Sequence, residues 1–121
     1  MLNLNSIMLG SENPKALADF YGKVLDKQPD MEENGFVGYL AGSCFITIGQ
    51  HDAVKGKSAN PERIIFFFET EDVQGEFDRI AKLTGAAVVK EPYNPGGDKF
   101  VLATLSDPDG NYFQLSSPWD A

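Results

Sequence analysis

The stretch Asp107–Leu115, DPDGNYFQL, decides the fold of this chain. Its Pro-Asp-Gly sequence predicts a tight turn, because Pro presets φ, the Asp that follows it bonds its own backbone and Gly supplies a positive φ. The apolar run 100–105 before the turn and the alternating residues 112–116 after it each have the pattern of a strand. The stretch therefore predicts a β-hairpin, and it places Gln114 within the second strand.

The residues before this hairpin predict one strand, one helix and one further extended segment. The strand covers Arg63–Glu69, Asp72 is placed to cap the helix, and Gly85 ends it. Residues 86–90 are predicted to be extended, and the Pro- and Gly-rich residues 92–98 to form a loop. With the hairpin, the order is strand, helix and three strands.

The first half of the chain repeats this order. Asn13 and Pro14 are typical of a helix start, and apolar residues recur at helical spacing as far as Leu25. Strands or weaker extended segments are predicted at the remaining apolar stretches, 2–9, 27–32, 36–41 and 44–50.

A polar loop, residues 51–61, separates the two similar halves. Each half has the order strand, helix and three strands, which is the pattern of a structural repeat. The sequence therefore predicts an α+β fold of two βαβββ modules. They form one domain over residues 1–121, with the first module at about 1–60 and the second at about 61–121.

The composition argues against several classes of function. The chain has 18 Asp and Glu against 10 Lys and Arg, a formal net charge of −8, whereas nucleic-acid binding needs a basic surface. No apolar run approaches the ~20 residues of a membrane helix, and the N-terminal residues lack the pattern of a leader peptide. We therefore expect a cytoplasmic protein that binds neither nucleic acid nor a membrane. The negative charge suits either solubility or a cationic ligand.

Three segments, in this order and spacing, resemble proteins of the vicinal oxygen chelate superfamily. They are Asn5–Leu25 with its Asn-Pro helix start, the strand-to-helix junction Phe68–Val73, and the hairpin turn Asp107–Asn111. The superfamily contains glyoxalase I, extradiol dioxygenases, fosfomycin-resistance enzymes and bleomycin-resistance proteins. The resemblance implies two βαβββ modules whose sheets curl around a shared cleft, within a homodimer.

Alternate side chains of each predicted strand point to opposite faces, which divides the strand residues into two sets. One set is almost wholly apolar and is predicted to pack beneath the helices: Ile7, Leu9, Cys44, Ile46, Ile48, Ile64, Phe66, Phe68, Phe113 and Leu115. The other set mixes aromatic, apolar and polar side chains, as a ligand-binding surface does, although a solvent-exposed sheet face is the alternative. The predicted ligand-binding residues of this set are Ser6, Phe45, Thr47, Ile65, Phe67, Tyr112 and Gln114.

The resemblance also implies where metal-dependent members of the superfamily hold a divalent ion. Those positions correspond here to Ser6, Thr47, Ile65 and Gln114. Serine and threonine hydroxyls bind transition metals poorly, isoleucine does not bind them, and Gln114 is a single neutral amide. The sequence therefore predicts no bound metal and no cofactor.

Glu69 is the candidate catalytic residue. It shares strand parity with Ile65 and Phe67, and a carboxylate among apolar neighbours can serve as a general base. The alternative is a solvent-exposed carboxylate beside Glu71 and Asp72 at the start of a helix.

Two further reactive side chains are interpreted without a catalytic role. His51, the single histidine, lies in a polar loop with no second histidine to share a metal, so we expect an exposed loop residue. Cys44, the single cysteine, falls on the predicted core face, so we expect a small buried hydrophobe rather than a nucleophile. The loop around Pro95–Asp98 is predicted to be either a lid over the ligand or a plain connection.

These features favour a small-molecule-binding protein that needs no metal. Aromatic side chains and negative charge suit a planar or cationic compound held by stacking and charge. The resemblance includes bleomycin-resistance proteins, which sequester a drug in this way. One alternative is a glyoxalase-like lyase, isomerase or dioxygenase acting on a small oxygenated substrate, either with Glu69 as base or with a metal bound by residues other than the four that the resemblance implies. Another is a module that works only with a partner chain.

Overall fold

The computed structural model describes residues 1–96 and 99–119 and divides the chain into two units, Met1–Gly56 and Lys57–Ala121. Each unit has the element order βαβββ. The predicted α+β fold of two βαβββ modules is therefore confirmed. The assignment of both modules to a single domain stays a prediction.

The first unit forms a four-stranded mixed sheet with one helix. Its elements are β1 (Ser6–Gly10), α1 (Pro14–Leu25), β2 (Met31–Glu33), β3 (Phe36–Ala41) and β4 (Cys44–Gly49). The strand order is β1-β4-β3-β2, in which β1 runs parallel to β4 and the other neighbours are antiparallel.

The second unit repeats this topology. Its elements are β5 (Phe66–Glu69), α2 (Val73–Ala81), β6 (Ala87–Tyr93), β7 (Leu102–Ser106) and β8 (Tyr112–Ser116). The strand order is β5-β8-β7-β6, and again the first strand runs parallel to the last. The repeat that was read from the sequence is thus present at the level of strand order and direction.

Each helix packs on its own sheet, and the alternation of side chains along the strands supplies the core between them. α1 contacts β3 and β4, and α2 contacts β6, β7 and β8. The buried apolar residues of the first unit are Leu17, Ala18, Phe20, Tyr21, Val24, Tyr39, Ile46 and Ile48. Those of the second unit are Val73, Phe77, Ile80, Ala103, Leu105, Phe113 and Leu115. Neither α1 nor α2, the helices within the described residues, is long and apolar enough to cross a membrane.

Helix α1 begins at Pro14 and ends at Leu25, as predicted. Its N-cap residue, Asn13, makes no side-chain cap bond; instead the Asn13 backbone N–H donates to Ser11 Oγ at 3.0 Å. At the other end Asp26 takes a left-handed conformation with φ 54°, which stops the helix.

Helix α2 starts with the predicted cap, because Asp72 Oδ1 accepts a hydrogen bond from the Gly75 backbone N–H at 2.9 Å. Its end was predicted wrongly. The last helical residue is Ala81, and the chain then turns through a bond from Leu83 N–H to the Ile80 carbonyl. Gly85, with φ +96°, lies beyond that turn and does not itself end the helix.

Several strand ends differ from the prediction. β1 starts at Ser6 instead of Leu2, and β7 at Leu102 instead of Phe100. β5 starts at Phe66 instead of Arg63, because Arg63 N–H donates to the Asn60 carbonyl and holds the preceding residues in a turn. In contrast, β6 is longer than predicted and continues through Pro92 to Tyr93, into the predicted loop. A proline is tolerated within β6 because this strand lies at the edge of the sheet.

The hairpin between β7 and β8 has the predicted turn, with Gly110 at φ +80°, but its hydrogen bonds come from another residue. Asp107, not Asp109, organises it: Asp107 Oδ1 accepts from the backbone N–H groups of Asp109 and Asn111 at 2.9 and 3.0 Å. The Asn111 side-chain amide donates to Asp107 Oδ2 at 3.0 Å as well. Asp107 is buried, and these bonds compensate for the burial of its carboxylate.

Candidate functional site

One face of the second sheet carries most of the ligand-binding residues that were predicted in the second unit. In the β5–β8 and β7–β8 pairs, Gln114 lies directly beside both Phe67 and Thr104. Directly opposed strand residues point to the same side of a sheet, so these three side chains share a face. By the same register, Tyr112 and Glu69 lie on this face too. We call it the β8 face.

Phe66 and Phe67, adjacent in the sequence, have different surroundings. The Phe66 ring stacks on the fully buried Phe113 ring, with centroids 6.3 Å apart and planes at 17°. The Phe67 side chain is 43% exposed, and its ring lies 6.3 Å from that of Trp119. Phe67 therefore offers an aromatic surface that the protein itself covers only in part.

The β8 face also carries polar side chains with little solvent contact. Among the described residues, no group hydrogen-bonds Gln114 Oε1 or Ser116 Oγ, and both atoms are buried. Thr104 and Ser106, on the neighbouring strand β7, are buried as well. A buried polar atom without a partner costs about 1–3 kcal/mol, so a water molecule or a ligand group that reaches these oxygens would stabilise the folded chain.

The remaining second-unit candidates lie at the ends of β5. Ile65 precedes the strand and is half-buried, so the strand register does not assign it to the β8 face. Ile64, predicted for the core, is exposed, which was wrong because the strand parity on which that prediction rested starts only at Phe66. Glu69 is exposed at the last position of β5, opposite Ser116.

In the first unit, the residues predicted to bind ligand share one face of their own sheet. Ser6 lies opposite Phe45, and Met8 lies opposite Thr47, in the parallel β1–β4 pair. The Ser6 hydroxyl donates to Asn5 Oδ1 at 2.9 Å, and the Thr47 hydroxyl donates to the Ile7 carbonyl at 3.4 Å.

Two glycines allow aromatic rings to lie close against the backbone on this face. A Cβ atom at Gly38 would overlap the Phe45 ring, and a Cβ atom at Gly49 would overlap the Phe36 ring. Each ring therefore covers backbone where any other residue would push it away. The result is an aromatic surface on the first sheet, to which Phe36 adds a ring that was not among the predicted ligand-binding residues.

The two reactive side chains outside the strand faces have ordinary surroundings. His51 is exposed, and its Nδ1 accepts from the Ala53 backbone N–H at 3.1 Å. Cys44 was predicted to be buried but is half-buried, at the first position of β4, where its thiol lies 3.8 Å from the Phe45 carbonyl. Of the predicted Pro95–Asp98 loop, Gly97 and Asp98 lie outside the described residues.

The positions that correspond to the superfamily's metal ligands do not provide a suitable donor set. The hydroxyls of Ser6 and Thr47 already donate to neighbouring oxygens, and Ile65 has no donor atom. Over residues 1–96 and 99–119, no three His, Cys, Asp or Glu side chains are placed to hold a metal ion. The chemistry of these side chains therefore does not fit a divalent transition metal.

The second unit contains a cavity that sequence reasoning missed. Its volume is about 1090 Å³, and its described lining residues are Glu71, Pro95, Gly96, Lys99, Phe100, Ser117, Pro118 and Trp119. The Trp119 ring lies 5.0 Å from the Phe100 ring and 6.3 Å from the Phe67 ring, so an aromatic cluster connects the cavity to the β8 face. The one signal that could have indicated it is the single tryptophan of the chain, which follows the last strand.

The family model for the glyoxalase-like domain matches residues 6–116, which include α1, α2 and the strands from β1 to β8. This chain belongs to the glyoxalase-like domain family. The resemblance to the vicinal oxygen chelate superfamily is thereby confirmed. Among curated protein sequences, none matches the chain significantly.

Solved structures of this family have the same fold as the chain. A glyoxalase-related enzyme from Fulvimarina pelagi is 16% identical, with a TM-score of 0.79 over 98% of this chain and 89% of that one. A glyoxalase/bleomycin resistance protein/dioxygenase family enzyme from Burkholderia phytofirmans PsJN is 20% identical, with a TM-score of 0.76 over 96% and 98%. The fosfomycin resistance protein FosX from Listeria monocytogenes is 15% identical, with a TM-score of 0.69 over 98% and 93%. At these identities the likeness extends to the fold alone.

Proposed function

We propose that this glyoxalase-like protein binds a small organic molecule without a metal ion, and that the β8 face contributes Phe67, Tyr112 and Gln114 to the site. The observation that carries this proposal is the position of Phe67. Its half-exposed ring lies on the same face as Gln114, whose side-chain oxygen has no partner among the described residues. An apolar surface with a few unsatisfied polar groups is the usual composition of a ligand site.

Ser6, Phe45 and Thr47 of the first unit are likewise proposed to bind ligand, on one face of their own sheet. Phe45 supplies a flat ring over Gly38, and Ser6 and Thr47 supply hydroxyl groups on the same face of the first sheet. Ile65 stays in the proposal as an apolar contact at the start of β5. The proposal also includes a cytoplasmic location and a homodimer. A second copy would cover partly exposed apolar side chains on the first sheet, such as Met8 and Leu40.

A glyoxalase-like lyase, isomerase or dioxygenase is the second candidate. Glu69 favours it, because its carboxylate is exposed two residues from Phe67 on the same face, where it could remove a proton from a bound substrate. The Fulvimarina pelagi neighbour is itself described as an enzyme. Glu69→Gln would then abolish turnover of a compound that still binds, whereas a pure binding protein would leave the compound unchanged.

A thermal-shift screen of small organic compounds in the presence of EDTA tests the proposal. We expect at least one compound to raise the melting temperature of the chain, because a ligand at 100 times its Kd stabilises the native state by about 2.7 kcal/mol. Phe67→Ala and Gln114→Leu should each reduce that shift. Val89→Ala is the matched control, because Val89 in β6 is also 43% exposed and is not one of the proposed site residues.

Two results would contradict the proposal. One is a stabilising compound that acts only after a divalent metal is added, since the binding would then need the ion. The other is a compound whose effect is the same in Phe67→Ala, Gln114→Leu and Val89→Ala.

A further inference from the structure

The cavity beside Trp119 has a wall of aromatic rings. Trp119 is 69% exposed, and its ring plane is tilted by 32° to those of Phe100 and Phe67. A large indole that remains this exposed presents a ring face to whatever enters the cavity. Pro118 adds a further flat apolar surface to the lining.

The charged side chains that the structure describes around the cavity include more carboxylates than ammonium groups. Glu71 and Lys99 line it, and both also line an adjoining cavity of about 400 Å³ to which Asp72 contributes. Among the described residues, neither Glu71 nor Lys99 forms an ion pair. The chain as a whole carries a formal charge of −8, so its field attracts cations.

We propose that this cavity is a subsite for a flat aromatic cation, stacked on Trp119 and Phe100, with its positive charge balanced by Glu71. The proposal rests on the proposed function, because Phe67 belongs to both the β8 face and the aromatic cluster. An aromatic face attracts a cation as well as a second ring, and tryptophan does so most strongly. A neutral ring would use only the stacking, and an anion would meet the carboxylates of Glu71 and Asp72.

Trp119 makes the proposal directly measurable, because it is the only tryptophan in the chain. Excitation at the red edge of tryptophan absorption reports on this one ring while the four tyrosines stay dark. Three probes separate the contributions to binding. Benzyltrimethylammonium combines a flat aromatic ring with a quaternary ammonium charge, phenylacetate carries the same ring with a negative charge, and cyclohexylmethylammonium is a cation without an aromatic ring.

We expect benzyltrimethylammonium to shift the Trp119 emission in a saturable manner. Each of the other two probes should bind roughly three- to thirtyfold more weakly, the range that one cation–π contact spans. Glu71→Gln should weaken binding of the cation about two- to fivefold, as loss of one partly exposed opposite charge does. Lys99→Gln, which removes a positive charge from the same lining, should strengthen it and serves as the control.

Phenylacetate or cyclohexylmethylammonium binding as tightly as benzyltrimethylammonium would overturn the proposal, as would an emission change that never saturates. Trp119→Ala, followed by calorimetry, must also weaken binding of the cation.

Failure of this subsite proposal is distinguishable from failure of the proposed function. A compound from the screen that needs Phe67 and leaves Trp119 emission unchanged would preserve the proposed function and reject this subsite. A saturable cation response that persists in Phe67→Ala and Gln114→Leu would support the cavity and reject the role of the β8 face.

Discussion

Neighbouring residues of identical type have opposite roles in strand β5. Phe66 stacks on Phe113 in the core of the second unit, whereas Phe67 lies on the β8 face beside Gln114 and close to Trp119. The two side chains are equal in volume and in β-propensity, so only the direction in which each leaves the strand differs. This pair therefore separates a contribution to packing from a contribution to binding.

Phe66→Ala should lower the free energy of unfolding by about 3 kcal/mol, near the lower end of the range for a core phenylalanine because Phe66 is half-buried. Phe67→Ala should lower it by only about 1 kcal/mol, since part of its surface already faces solvent. Urea unfolding of both variants and the wild type measures the difference. If Phe67→Ala were the more destabilising of the two, the β8 face would be the core and the proposed site residues would lie on the wrong side of the sheet.

At the scale of elements, the two helices begin with similar residues and different bonds. Asp72 and Asn13 both occupy the N-cap position and both precede an amphipathic helix. Only Asp72 accepts a backbone N–H from the first turn of its helix. At α1 the Asn13 backbone donates to Ser11 Oγ, and Pro14 has no N–H group that needs a partner.

Asp72→Ala should therefore destabilise the chain by about 1 kcal/mol, the usual effect of removing a side-chain cap. Asn13→Ala should change the free energy of unfolding by less than about 0.5 kcal/mol, because it removes no cap bond. Chemical unfolding of the two variants under identical conditions makes this comparison. Equal losses at both positions would show that the Asn13 side chain also caps its helix in solution.

The molecule as a whole is built from one type of unit that occurs twice. Both units have the same element order, the same strand order and a parallel pair formed by their first and last strands. Each sheet also carries partly exposed apolar side chains, Met8 and Leu40 in the first and Phe67 in the second. Exposed apolar surface of this kind is often the contact between subunits.

We expect a homodimer in solution, because a second copy would remove Met8 and Leu40 from water. Light scattering at micromolar concentration measures the mass directly, and Leu40→Asp, which introduces a charge on the exposed apolar surface, should shift the population toward monomer. Val89→Asp, a similar change on the edge strand β6, is the control and should leave the mass unchanged. A monomer of the wild type at this concentration would contradict the expectation.

Short-range patterns were sufficient to predict the order of the elements. The Asp72 cap, the Pro-Asp-Gly turn at 108–110 and the alternation along 112–116 all act over a few residues, so local sequence reports them. Strand ends were less predictable. Arg63–Ile65 has a strand-like composition, but the bond from Arg63 N–H to the Asn60 carbonyl competes with strand pairing and shortens β5.

The sequence by itself determined the family, the two βαβββ modules and the face on which Phe67 and Gln114 lie, because alternation along a strand needs only the local chain. Only the tertiary structure decided that Asp107 organises the hairpin, that the Gln114 oxygen has no partner among the described residues, and that the Trp119 ring lies close to Phe100 and Phe67. Such features depend on the distance between atoms rather than on the type of neighbouring residue. The cavity joins Glu71, Lys99 and Trp119 from separate parts of the second unit, and no local pattern reports that they meet.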